Sequence, residues 1–164
     1  MRRLPAVALV IGALAIGGCR IEDRSPTGTR RDDDAIRALV ATYYQSVGTH
    51  DWATSRSLFW DSAAVELRGP APAEWRTFRT ADAYHQFLSR SFATAPALAV
   101  RMFRLDIRQQ GDLASAWVIT RRRPTGQEGR GEVGTADNLL LWRRDGAWRI
   151  LALASVPDSA PASR

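Results

Sequence analysis

Apolar residues recur along this chain with two different periods. Ile36, Leu39, Val40, Tyr43, Tyr44 and Val47 fall at helical spacing and form one face of an amphipathic helix. Asp32, Asp33 and Asp34 open it, with negative charge on the positive end of the helix dipole, and Gly48 closes it. Asp51 caps a short second helix carrying Trp52, Leu58 and Phe59. Residues 64–67 and 75–79 read as short strands on either side of a loop at Gly69-Pro70-Ala71-Pro72. Thr80 caps a third helix with Tyr84, Phe87, Leu88, Ser91 and Phe92 on one face, and Pro96 marks its end.

From Leu98 the period becomes two. Leu98, Val100 and Met102 alternate, then Phe103, Leu105 and Ile107 do, so the phase slips near Met102 as a β-bulge requires. Gln110-Gly111 turns the chain into a strand over residues 113–123. A polar, glycine-rich loop over 124–131 leads to a strand over 132–144, and Asp145-Gly146 is a strong hairpin signal before the last strand, 147–156. Helices first and long strands after predict an α+β fold: three N-terminal helices packed on a curved antiparallel sheet.

The N-terminus has a different character. Met1-Arg2-Arg3 precedes an uncharged run over residues 4–16, which is shorter than the roughly 20 residues a spanning helix needs. The run ends Ile16-Gly17-Gly18-Cys19, which resembles the bacterial lipobox. Residues 1–18 therefore read as a cleavable signal peptide and Cys19 as the lipid-attachment site. Residues 19–31 read as a flexible tether, 32–156 as the domain and 157–164 as a disordered tail. This predicts an exported protein anchored to the membrane of the cell envelope. Arg20, rather than Asp, at the position after the cysteine points to the outer membrane, periplasmic side, by resemblance to enteric lipoprotein sorting.

Composition narrows the chemistry. The 164 residues carry 23 basic and 17 acidic side chains, a net charge of +6, and every basic residue is arginine. Without lysine there is no Schiff-base chemistry. Cys19 is the sole cysteine, so its lipidation leaves no disulfide, thiol nucleophile or cysteine metal site. The two histidines, His50 and His85, have no carboxylates at ligand spacing, and the loop at 126–131 lacks the lysine of a phosphate-binding loop. No metal, cofactor or nucleic-acid partner is expected. The basic balance reflects arginine without lysine.

The stretch AIRALVATYYQSVGTHDWATSRSLFWDSAAVEL resembles the opening of the nuclear transport factor 2-like superfamily, in particular its SnoaL-like and ketosteroid isomerase-like domains. The ending LLLWRRDGAWRILALAS resembles their final hairpin. The resemblance implies a cone-shaped fold and leaves function open, because isomerases, cyclases, dehydratases and non-catalytic modules share it. It places Tyr43 where the isomerase has its oxyanion tyrosine. The general base falls on Leu67, which cannot take a proton, and the neighbouring Glu66 points to the opposite sheet face. The second oxyanion acid falls near Asp137 or Asn138.

A two-residue turn at Asp145-Gly146 places Asp137, Leu139, Leu141, Trp148, Ile150, Ala152 and Ala154 on one sheet face. Asn138, Leu140, Trp142, Arg149, Leu151 and Leu153 share the other. Only the first set holds a carboxylate among apolar residues, which makes Asp137 the leading polar pocket residue. Both faces are apolar, so a homodimer through the sheet is expected. Trp142 opposite Arg149 predicts a cation–π pair. His85 is placed on the flank of the third helix, partly exposed, and His50 in a solvated turn. Trp60, Phe92 and Trp117 are expected in the core or lining a pocket with Tyr43 and Asp137. Arg101 and Arg121 are alternative cavity residues for an acidic ligand.

Two functions follow. One is a lipid-anchored, non-catalytic module that binds a small hydrophobic ligand or acts through protein contacts. The other is an acid–base enzyme on a small hydrophobic substrate, using Tyr43 with Asp137 or His85. The missing base at Leu67 favours the first.

Overall fold

Thr29 starts the first helix slightly earlier than the aspartates suggested. In a computed structural model, which describes residues 29–126 and 132–158, Thr29 caps α1 (Arg30–Thr49). Its hydroxyl accepts from the Asp32 backbone N–H at 3.1 Å, an N-cap bond, and donates to the Asp32 carboxylate at 2.8 Å. The signal segment, Cys19 and nearly all of the expected tether lie outside the described residues, as do the centre of the glycine-rich loop and most of the tail.

Asp32 also joins the helix to the sheet. Its carboxylate accepts from Arg143 Nη1 at 2.6 Å and from Trp148 Nε1 at 3.2 Å. Arg143 in turn pairs with Asp112 at 2.7 Å. Hydrogen bonds from Thr29 and Trp148, with the Arg143 charge, hold the Asp32 carboxyl well below the usual carboxylate range.

After α1 come α2 (Trp52–Ser57), capped by Asp51, then β1 (Phe59–Leu67), a single 3-10 turn (Pro72–Glu74) and β2 (Arg76–Phe78). Next are α3 (Ala81–Ser91), capped by Thr80, and the long strands β3 (Leu98–Gln110), β4 (Leu113–Pro124), β5 (Val133–Arg144) and β6 (Ala147–Pro157). The strands form one six-stranded sheet in the order β2-β1-β6-β5-β4-β3. Five pairings of neighbouring strands make this sheet. Four are antiparallel, and β1 runs parallel to β6. The sheet is therefore mixed, because β1 reaches β6 through the whole intervening chain and not through a hairpin.

The three helices pack on one face, and the core sits between them and the sheet. It holds Ile36, Val40, Phe59, Val65, Val118, Leu139, Leu141 and Ile150 among others. The far end of α1 comes very close to β3: a Cβ on Gly48 would lie 2.7 Å from the Leu98 carbonyl oxygen.

The bulge expected near Met102 is present, as a register shift between Met102 and Arg104. The Asp145-Gly146 turn pairs Arg144 with Ala147 and Arg143 with Trp148, and both turn residues have positive φ as this hairpin type requires. A second bulge was not foreseen. Leu140 pairs with Ala152 and Leu141 with Ile150, leaving Leu151 extra. Beyond it the phase reverses. Leu153 is buried at 2% exposure, and Ala152 and Ala154 join the outer face, opposite to the simple alternation.

This reversal has a measurable consequence. Leu153→Ala is expected to destabilise the fold by about 2–5 kcal/mol, as a core truncation does. Leu140→Ala, on the outer face, is expected to stay within about 0.5 kcal/mol. Chemical denaturation of the two variants checks the assignment, and equal effects would contradict the bulge.

Candidate functional site

Asp137 is the only carboxylate among the buried polar residues of the described chain. β5 turns it inward in register with Val118, and three donors from three elements converge on it. Tyr44 Oη of α1 donates to Oδ2 at 2.6 Å. Ser155 Oγ of β6 donates to Oδ1 at 2.5 Å, an arrangement that the Leu151 bulge makes possible. Arg122 Nη2 of β4 donates to Oδ2 at 3.2 Å and to Thr135 Oγ1 at 3.1 Å. Thr135 shares a further bond of 3.0 Å with Thr120. The carboxylate is fully enclosed, while the Arg122 side chain keeps 24% of its surface. Burial lowers the guanidinium pKa, but Asp137 together with Tyr43, Tyr44 and Tyr84 outweighs it, and the net shift is upward.

All three tyrosines of the chain are gathered here. Tyr43 and Tyr84 share a hydroxyl–hydroxyl bond of 2.9 Å. Burial raises Tyr84 to about 12 and lifts Tyr43 and Tyr44 well above the ordinary phenol value. All three are neutral hydrogen-bonding groups at physiological pH, and none is a base.

The residues predicted from the sequence do not converge. Tyr43 lies in the interior beside Asp137, yet Tyr44 makes the bond. Adjacent helix residues are turned by about 100°, and that rotation sends the Tyr43 hydroxyl to Tyr84. His85 is buried, not flank-exposed. Its Nδ1 faces the Ala81 carbonyl at 2.7 Å, so that nitrogen carries the proton, and Nε2 accepts from Ser55 Oγ at 2.9 Å. Both ring nitrogens are thus occupied, Nδ1 within α3 and Nε2 joining α3 to the fully buried Ser55 of α2. His50 is not solvated: it stacks on Trp52 at 5.2 Å and contacts Phe92 at 5.4 Å. Phe92 therefore belongs to this aromatic cluster near the α1–α2 junction.

Trp60 and Trp117 lie on the outer sheet face. Trp117 is 50% exposed, and Trp60 packs on Trp142 at 5.8 Å between ring centroids. Arg149 sits over Trp60 at 4.8 Å, in place of the expected pair with Trp142. Arg101 and Arg121 pair with each other on the outer face, and Arg121 is bound to Asp158. The inward arginine is Arg122. Its signal was present in the parity of Ala114, Ala116 and Val118, but Leu113, Trp117 and Ile119 made the opposite parity equally apolar. Leu67 packs against the core at the base position, and Glu66 pairs with Arg68.

Surface clefts open around this body, four of them among the described residues. They lie between α2 and α3 (about 400 Å³), on the outer sheet face at Trp117 (about 520 Å³), between α1 and β3 (about 270 Å³), and at the start of α1 (about 530 Å³). Tyr44 borders the third; Tyr43, Tyr84 and Asp137 border none of these four.

The SnoaL-like domain model matches residues 29–154, the whole of α1 through most of β6. The chain belongs to the SnoaL-like family. Solved structures agree in fold. A nuclear transport factor 2-like protein of unknown function from Pseudomonas putida superposes with a TM-score of 0.68 at 18% identity, over 77% of this chain and 87% of that one. A Nostoc punctiforme protein with a cystatin-like fold gives 0.67 at 18%, over 81% and 96%. One from Caulobacter vibrioides gives 0.65 at 16%, over 79% and 91%. At these identities the likeness is one of fold alone. Among curated proteins no relative matches the sequence.

Two predictions follow from the geometry of this SnoaL-like domain. Tyr44→Phe removes a bond to a charged acceptor and is expected to cost about 1.5–3 kcal/mol, against about 0.5–1.5 for Tyr43→Phe. Asp137→Asn strands the Arg122 charge and is expected to cost about 3–5 kcal/mol. Denaturation curves that rank Tyr43→Phe above Tyr44→Phe would contradict the network. His85 provides a pH test. Burial lowers its pKa below the unfolded value of 6.5, so the unfolded chain takes up the proton first as pH falls. The stability that His85 contributes is present above pH 6.5 and is lost as the pH falls from there through the folded-state value. His85→Gln is expected to flatten that slope in melting temperature against pH.

Proposed function

We propose that this chain is a lipid-anchored cell-envelope protein, held through Cys19 at the periplasmic side of the outer membrane. In this reading its SnoaL-like domain acts without catalysis, as an interaction module working through the outer face of its sheet. One contrast carries the reading. The Asp137 carboxylate, the three tyrosine hydroxyls and the His85 ring are bonded within the interior, and only His50 Nε2 and Arg122 Nε lack a partner among the described buried side chains, whereas Leu113, Trp117, Leu140, Trp142 and Phe103 stand exposed outside. A contiguous exposed apolar set of this kind is what an interaction surface presents.

Acid–base catalysis needs a group free to take a proton and space for a substrate beside it. Leu67 cannot supply the first, and the Asp137 carboxylate is enclosed and holds three donors, Tyr44, Ser155 and Arg122. Tyr43, Asp137 and His85, the trio an enzyme would use, each bond to a different partner. A small ligand held inside is supported less, because two of the aromatic walls expected for it, Trp60 and Trp117, belong to the outer face.

Site-specific photo-crosslinking in growing cells tests the surface. A photo-reactive residue in place of Leu140 or Trp142 is expected to give light-dependent adducts, and the same residue at Ser89 on α3 none. Equal yields at both places would remove the outer face as the working surface. Native mass spectrometry of the purified chain is expected to show the polypeptide and its lipid alone; a co-purifying small molecule would restore the ligand reading. The N-terminal peptide from the envelope fraction is expected to begin at an acylated Cys19. An unlipidated peptide starting elsewhere would remove the anchor.

A further inference from the structure

We propose that the groove beside Trp117 binds an acidic saccharide chain, with sugar rings stacking on the indole and their carboxylates meeting the arginines of β3. The proposal rests on the outer face being the working surface, and it names the partner's chemistry. The groove spans three strands, has a volume of about 520 Å³, and is lined by Arg104, Asp106, Arg108, Ser115, Trp117 and Asn138.

Register sets these side chains in rows. Asp106, Trp117 and Asn138 stand side by side across β3, β4 and β5. Neighbouring strands are about 4.8 Å apart, so a carboxylate and an amide flank the indole closely on either side. Arg108 and Ser115 form the next row, and Leu140 continues it on β5. A tryptophan with half its surface open, in a groove otherwise lined by polar and charged side chains, is poorly matched to a purely apolar partner. It suits a sugar ring, whose C–H face packs on the electron-rich indole face while its hydroxyls reach donors and acceptors at the rim.

Charge decides which sugar. Arg101, Arg104, Arg108 and Arg123 lie on this half of the outer face against Asp106, and Arg121 is already neutralised by Asp158 at 2.6 Å. Arg104 is bound to Asp106 at 2.5 Å. Arg108 makes no ion pair among the described residues, which leaves its fork open to a carboxylate. A second copy of the chain would bring two positive faces together, which opposes association. A dense acidic peptide would satisfy the arginines but place its charges against Asp106. A saccharide with one carboxylate per ring satisfies both, since its hydroxyls donate to Asp106 and its acid groups accept from Arg108.

Isothermal titration of the full-length protein in non-ionic detergent tests this, with trigalacturonate, neutral maltotriose and hexaglutamate as probes. Trigalacturonate is expected to bind at least about tenfold more tightly than the other two, with affinity falling as salt rises. Trp117→Ala and Arg108→Gln, both at exposed positions, are expected to weaken it about tenfold each with the melting temperature unchanged. Equal binding of hexaglutamate would overturn the proposal in favour of an acidic peptide, and equal binding of maltotriose would remove the arginines from recognition. Failure of all three probes, with a dimer in sedimentation that Trp117→Ala disperses, would overturn the saccharide and keep the face as an interaction surface. Failure of all three with no Trp117-dependent oligomer, and no adducts from positions 140 and 142, would overturn both.

Discussion

The buried charge of Asp137 is the constraint around which the interior is arranged. An ionised carboxylate removed from water needs an opposite charge and filled hydrogen-bond sites, or its desolvation unravels the fold. Here the donors come from separate parts of the chain: Tyr44 from the first helix, Arg122 from β4 and Ser155 from the last strand. Meeting that one requirement fixes the rotation of α1 over the sheet and the register of β4. It also fixes the phase of β6 after the Leu151 bulge, since without the extra residue Ser155 would point away.

The same principle repeats on a smaller scale. The Tyr43–Tyr84 bond ties α1 to α3, and the Ser55–His85 bond ties α2 to α3. Asp32 ties the start of α1 to β5 and β6. Each is a polar group shared between elements that apolar packing alone would leave free to slide. The arrangement that makes the body rigid also spends its chemistry. A carboxylate with three donors and a histidine with both nitrogens bonded hold structure in place, and the position at which the sequence resemblance expected a base holds Leu67, packed against the core.

What is left unspent lies on the other side of the sheet. The outer face carries tryptophans that the sequence pattern assigned to the interior, and arginines whose partners are few. The interior acid, tyrosines and His85 are bonded, while the outer face keeps open apolar and cationic side chains, and the proposed interaction surface rests on that asymmetry.

Much of this was legible in the sequence. The two hydrophobic periods gave the order of helices and strands, the bulge near Met102 and the Asp145-Gly146 hairpin, because those features depend on local spacing and turn chemistry. Asp137 stood out as a lone acid in an apolar row. The lipobox-like run ending at Cys19 is likewise a purely local pattern. Tertiary structure decided the rest. Which of two adjacent tyrosines meets Asp137 depends on a helix rotation that no local rule sets. Whether Arg121 or Arg122 turns inward was undecidable on a strand apolar on both faces. The parallel pairing of β1 with β6 joins segments far apart in the chain, and the bulge at Leu151 answers to Asp137, fourteen residues upstream in β5. Local periodicity records which side chains prefer burial; only the packed whole decides which partner each buried polar group must find.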